Sequence, residues 1–284
     1  MMEHLQIQSF DSLSLTVSVV GAGDKGSVVL AHGGGQTRHS WAAAGDVFAK
    51  AGYLAVLADL RGHGDSGWAK TGIYSHDDFA KDSNVLAAWA QEKTGKKPHY
   101  IGASLGGVAG LIAEGSLYPA SFASLTLVDV TPRVKAEGFA SIISFMKKDM
   151  VEGFKTIEDA AESIAAYMPN RKSPPSVSGL KKNLKLGGDG RWRWHWDPSF
   201  LETLPAAREE LQVRLEEAAR NISIPMHLIK GRESELVSDI EVAHFRTLLP
   251  EAAVTDIAGA GHMVAGDRND VFVEAALKFI AAIG

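Results

Sequence analysis

The stretch His99-Tyr100-Ile101-Gly102-Ala103-Ser104-Leu105-Gly106-Gly107 begins in a short apolar segment and passes through a turn of small residues. It opens a helical pattern that runs from Leu105 to Leu117. A serine held as G-x-S-x-G between a strand and a helix sits on a turn so tight that its own backbone is strained. Side chains two residues before and two after would collide with the neighbouring strand or helix, so glycine is needed at 102 and 106. Ser104 is left pointing out of the carboxyl end of a sheet, with the amides of the following helix aimed at it. It is the candidate nucleophile. The competing reading is a glycine-rich turn that happens to carry a serine.

Working outward, the chain alternates short apolar runs with helical spacing. Leu5 to Phe10 and Leu13 to Val20 alternate as two strands of a hairpin. Ser27 to Ala31 and Leu54 to Ala58 are continuous apolar strands, with a helix from Trp41 to Ala51 between them. Asp77 to Lys93 has helical spacing, and its early carboxylates suit a helix N-terminus. Leu125 to Val128 is another buried strand. Apolar strands alternating with helices predict an α/β fold, a mostly parallel central sheet flanked by helices.

The pattern breaks after Asp129. Residues 133–221 contain helical stretches, a Pro174-Pro175 break, a Gly187-Gly188 loop and the segment Arg191-Trp192-Arg193-Trp194-His195-Trp196, with no buried strand in view. The βα pattern returns with Met226 to Lys230, the helix Asp239 to Leu249, the strand Val254 to Ile257 and the helix Asp270 to Ile283. The expected organisation is therefore a first core part, residues 1–132, a helical cap inserted as 133–221, and a second core part, 222–284.

Three further signals lie at strand ends. His32-Gly33-Gly34-Gly35 follows the strand at Val28 to Leu30 and offers amide donors for a developing oxyanion. The amides of Gly34 and Leu105 are the candidate oxyanion hole, and His32 reads as a structural hydrogen-bonder at the loop's base. Gln36, Arg38 and His39 are near enough to touch a substrate, or are simply loop surface. Gly259-Ala260-Gly261-His262-Met263 follows the last strand and makes His262 the candidate general base. A carboxylate must then hold the histidine's tautomer. Glu235, in the loop after Met226 to Lys230, is preferred over Glu233, which suits the surface, and over Asp239, which suits a helix start. Asp129 competes as the alternative acid. Trp192, Trp194, Trp196 and Phe139 are candidates for cavity wall or for packing inside the cap.

Composition narrows the remaining classes. With no cysteine there is no disulfide, thiolate metal site or cysteine nucleophile. The net charge of −5 gives no electrostatic reason to expect nucleic acid, and Lys96-Lys97 and Lys181-Lys182 with Lys185 read as solvated surface. No histidine spacing suits a metal, so neither metal nor cofactor is expected. Gly21-Ala22-Gly23-Asp24-Lys25-Gly26 fits a dinucleotide fingerprint, but a strand follows it rather than a helix, and it reads as a hairpin turn. No signal peptide or membrane-length apolar run is evident, so a cytoplasmic protein that engages no membrane is expected.

Together these motifs resemble the bacterial α/β-hydrolase fold family, in its serine hydrolase branch with a helical cap. The resemblance rests on His32-Gly-Gly-Gly35, Asp59-Leu-Arg-Gly-His63-Gly-Asp-Ser66, the turn at Ser104, Leu127-Val-Asp129-Val-Thr-Pro132 and Ala260-Gly-His262-Met-Val-Ala-Gly-Asp267. It implies a Ser-His-acid triad of Ser104, His262 and a carboxylate, acting on a small molecule with an ester-like carbonyl. Many such proteins read Gly-x-x-Ser-Asp at the acid. Here Ser234 is followed by Glu235, which keeps Asp129 in contention. The Asp59 to Ser66 segment is mainly a packed turn in such proteins, leaving His63 no catalytic part. A serine at the elbow argues against relatives that displace with an aspartate, the epoxide hydrolases and haloalkane dehalogenases. Esters or lactones are the simplest substrates. Carbon–carbon bond hydrolysis, perhydrolysis and acyl transfer run on the same groups, and a non-catalytic ligand-binding module is the reading from another class.

Overall fold

The computed structural model describes residues 2–167, 177–203 and 208–283. The Pro174-Pro175 break lies outside the described residues. Ten strands are described: β1 Glu3–Gln8, β2 Ser14–Val20, β3 Ser27–Ala31, β4 Leu54–Ala58, β5 His99–Ala103, β6 Ser124–Val128, β7 Leu184–Leu186, β8 Trp192–Trp194, β9 Met226–Gly231 and β10 Ala253–Ile257. Eight of them form one sheet in the order β1-β2-β4-β3-β5-β6-β9-β10. The first two pairings in that order, β1 with β2 and β2 with β4, are antiparallel, and the other five are parallel.

All five residues of β3, of β4 and of β6 are buried. A strand covered on both faces is largely apolar along its whole length, because successive side chains point to opposite faces. Val28 and Leu30 of β3 pack with Phe48 of α1 (Ala42–Lys50) and Phe272 of the last helix. Val29 and Ala31 face the other way, toward Phe79 of α2 (His76–Thr94) and Ala109 of α3 (Leu105–Ile112). Among the described residues, no helix is long and apolar enough to cross a membrane.

The other described helices are α4 Ala136–Lys147, α5 Ile157–Tyr167, α6 Val177–Leu180, α7 Ser199–Thr203, α8 Arg208–Asn221, α9 Asp239–Leu248, α10 Val264–Asp267 and α11 Asn269–Ile283. The elements from α4 to α8 add no strand to the main sheet. They do include one feature the sequence pattern missed, the antiparallel ribbon β7-β8, in which Leu184 pairs with Trp194. Strands of three residues, one of them with two positions exposed, carry too little alternation to be read from sequence.

Two other expectations are revised. Gly21 to Gly26 is not a hairpin turn, because β2 and β3 do not pair and β4 lies between them. Its three glycines adopt φ of 102°, 85° and 120°, and a Cβ on Gly21 would sit 2.1 Å from the Tyr53 carbonyl oxygen. The helix from Leu105 to Leu117 is also not uniform. After Ile112 it widens into a π-helical turn, Ala113–Leu117, where the Gly115 backbone meets α8.

The sheet order fixes where a site can form. From β3 the chain crosses to β4 on one side, and it later returns to lay β5 on the other side of β3. Where strand order reverses, the loops leaving adjacent parallel strands diverge and open a crevice at their carboxyl ends. The loops leaving β3 and β5 begin with His32-Gly33-Gly34-Gly35 and with Ser104.

Candidate active site

Ser104 adopts φ 45° and ψ −113°, a conformation that side chains rarely adopt. The glycines around it are required sterically. A Cβ on Gly102 would lie 2.4 Å from the Gly106 carbonyl oxygen, and one on Gly106 would lie 2.5 Å from that of Ala31. The Gly106 amide donates to the His32 carbonyl at 3.2 Å, tying the elbow to the end of β3.

The glycine loop opposite is held by its ends. The Gly33 amide donates to Gln36 Oε1 at 3.1 Å, and the Gly35 amide donates to His63 Nε2 at 3.1 Å. Among the described residues, the amides of Gly34 and Leu105 make no hydrogen bond to the protein. Those two are the donors that the sequence nominated for an oxyanion.

Three buried histidines brace this loop. His32 donates from Nδ1 to the Gly33 carbonyl at 2.8 Å and accepts the Leu60 amide on Nε2 at 3.0 Å. His63 donates from Nδ1 to the Arg61 carbonyl at 3.0 Å. His195, from the segment after β8, accepts the Gly64 amide at 2.7 Å and donates to the Gly35 carbonyl at 3.2 Å. The rings lie 5.3 Å and 5.9 Å apart in the order His32, His63, His195. Burial, above all, pushes them down to about 4, about 3 and about 2 respectively, so each is a neutral imidazole with a fixed tautomer. His195 was invisible to sequence reasoning, because a histidine within a Trp-rich segment carries no signal of its own.

Asp59 organises the adjoining turn. Its carboxylate accepts the Arg38 amide at 2.6 Å, the Arg38 guanidinium and the Asp65 amide at 3.0 Å. Arg38 is thereby committed to a buried ion pair and is unavailable to a substrate. His39 does not reach the cavity, whereas Gln36 does.

The carboxylate on His262 is Asp129, and here the structure corrects the preference for Glu235. Asp129 leaves the end of β6 in a left-handed conformation, φ 51°, with no exposed surface. His262 Nδ1 lies 2.7 Å from Asp129 Oδ2. The Ser234 hydroxyl donates to the same oxygen at 2.6 Å, and the Gly231 amide donates to Oδ1 at 3.0 Å. The physical reason lies in the sheet. β6 and β9 are neighbours, so both loops end beside the His262 loop. The loop after β9 turns its Ser234 hydroxyl, not its carboxylate, toward Asp129. Glu235 instead lines the cavity, as does Tyr167 at the end of α5.

Ser104 and His262 line a single cavity of about 530 Å³, with no hydrogen bond between them among the described residues. The sheet side of the cavity holds the glycine loop and the elbow. The other side is apolar, with Phe139, Phe145, Trp194 and Trp196 among its lining. Trp194 and Trp196 stack at 4.9 Å and also pack the cap interior, so the wall and packing readings both hold for them. Trp192 does not line the cavity, but it packs against the same apolar cluster, and its backbone bridges to Phe154.

Comparison with known proteins agrees with this architecture. Residues 28–275 match the family model described as "Alpha/beta hydrolase family". Esterase Rv0045c from Mycobacterium tuberculosis is 28% identical over 261 residues, spanning 87% of this chain and 80% of that protein. The 2-(acetamidomethylene)succinate hydrolase of Mesorhizobium japonicum is 25% identical over 236 residues, 81% of this chain and 79% of the other. A crystal structure of E-2-(acetamidomethylene)succinate hydrolase superposes with a TM-score of 0.84 at 21% identity, covering 99% of this chain and 100% of that one. With the family matched across both halves of the sheet, the elbow and the His262 loop, this chain belongs to the alpha/beta hydrolase family.

Proposed function

We propose that the protein is a serine hydrolase that cleaves carboxylic esters or lactones through an acyl-enzyme. The observation that carries the reading is the 2.7 Å pairing of His262 Nδ1 with buried Asp129, in the cavity that also holds Ser104 on its strained elbow. Asp129 keeps the proton on Nδ1, which leaves Nε2 free to accept the Ser104 proton as Oγ attacks the carbonyl. The oxyanion forms against the Gly34 and Leu105 amides, whose lack of a protein partner is what a preorganised donor pair requires. His262 then protonates the leaving alcohol, and water, deprotonated by the same imidazole, releases the acid. Residues 133–221 act as a lid that keeps bulk water from the acyl-enzyme. The esterase named among the relatives supports ester chemistry, and the apolar cap side favours an ester over the more polar diketones of carbon–carbon bond hydrolysis.

The test is fluorophosphonate labelling with hydrolysis of a short p-nitrophenyl ester, on wild type, Ser104→Ala and His262→Ala. Labelling and turnover in wild type, both abolished by Ser104→Ala, are expected. A folded wild type that neither labels nor turns over would sink the assignment.

A further inference from the structure

Glu235 has no place in the chemistry once Asp129 holds His262, yet its side chain lines the cavity. It is the single fully charged side chain among the described lining residues; Arg and Lys are absent from them, and most of the rest are apolar. Its carboxylate lies beside the His262 loop, with Oε2 3.9 Å from where a Cβ on Gly261 would stand. Tyr167 of α5 lines the same cavity, where burial, with the Glu235 carboxylate nearby, pushes its phenol up to about 12. The Tyr167 ring is itself held by stacking on Phe145 of α4, centroids 4.2 Å apart and 13° from parallel. The acid therefore stands between the His262 loop and α5, and a carboxylate there can accept hydrogen bonds from a ligand.

We propose that Glu235 is a specificity-determining residue that selects ester substrates whose apolar body ends in an uncharged or cationic hydrogen-bond donor, and excludes those ending in a carboxylate. A negative charge in a largely apolar cavity repels an entering anion more strongly than it would in bulk water. No lysine or arginine among the described lining residues compensates for it. A terminal hydroxyl or ammonium finds instead a carboxylate acceptor in the cavity wall. The inference rests on the proposed site as the place where the ester binds. It does not depend on the rate of the chemical step.

Binding in the Ser104→Ala background separates the two. Calorimetry would compare p-nitrophenyl hexanoate, its 6-hydroxy analogue and the mono-p-nitrophenyl ester of adipic acid, with and without Glu235→Gln and Tyr167→Phe. With Glu235 present, the adipate ester should bind at least tenfold more weakly than the hexanoate ester. Glu235→Gln should shrink that gap about tenfold and weaken the 6-hydroxy ester, while leaving the hexanoate ester little changed. Tyr167→Phe should preserve the discrimination against adipate, because the charge remains. An unchanged ratio of adipate to hexanoate affinity in Glu235→Gln would overturn the proposal, and a merely structural role for Glu235 would weaken all three esters alike. Failure of wild type to hydrolyse any of them, with this binding pattern intact, would instead count against the hydrolase reading alone.

Discussion

Asp129 and Glu235 are two carboxylates within reach of one histidine loop, and their surroundings assign them different work. Asp129 is fully buried and accepts three donors, from Gly231, Ser234 and His262. Glu235 is half-buried and faces the cavity. On the proposed mechanism, Asp129→Asn should keep the fold but lower kcat on a neutral p-nitrophenyl ester by about 10³–10⁴, since the amide favours the wrong imidazole tautomer. Glu235→Gln should stay within a few-fold of wild type on the same ester. Equal losses in the two variants would return the acid's role to Glu235. That Ser104, His262, Gly34 and Leu105 would meet at one cavity was legible in the sequence, because each sits in a glycine setting with a steric reason. The acid was not, since its identity depends on which of two neighbouring strands ends nearer the histidine. Residues 129 and 234 are brought together only by the pairing of β6 with β9. Ser234 had looked like the herald of an acid at 235, and it is a donor to the acid at 129.

Among the elements, the parallel strands were the most legible. β3 and β4 coincide with the short runs Ser27 to Ala31 and Leu54 to Ala58, since burial on both faces leaves no polar residue inside either run. The widened turn after α3 had no such signature. There Gly115 lies against the last turns of α8, and a Cβ would fall 2.1 Å from the Ala218 carbonyl oxygen. The Asn221 side chain also donates to the Gly115 carbonyl at 3.2 Å, and the buried Glu114 carboxylate accepts the amides of Ala120 and Phe122. Gly115→Ala must therefore push α8 away from α3, at a cost of about 1–3 kcal/mol by analogy with overpacked cores. Urea denaturation should show the midpoint falling at unchanged slope. An unshifted midpoint would mean that the α3–α8 contact is looser than described.

For the molecule as a whole, the three neutral histidines make stability depend on pH. Their folded values, about 4, 3 and 2, lie below the ordinary unfolded value of about 6.5. Between those limits the unfolded chain binds more protons, so stability rises with pH. The contribution is complete above pH 6.5 and is lost as pH falls through that value toward 4. From pH 6.5 to 5 each histidine accounts for up to about 2 kcal/mol. Urea midpoints measured at pH 7.5, 6.5 and 5 should drop steeply over the last interval, and His195→Gln should flatten the drop. A midpoint constant from pH 7.5 to 5 would contradict the neutral, buried assignment. The same three rings have a consequence for ancestry and engineering. They carry a continuous line of contacts from the root of β3 through the Asp59 to Ser66 turn into the segment that follows β8. The stretch from α4 to α8 is thus no detachable cassette. Transplanting one from a relative would redraw the glycine loop along with the pocket, so new specificities are reached more readily by changing the far wall near Phe139 and Phe145 than by exchanging the whole insertion.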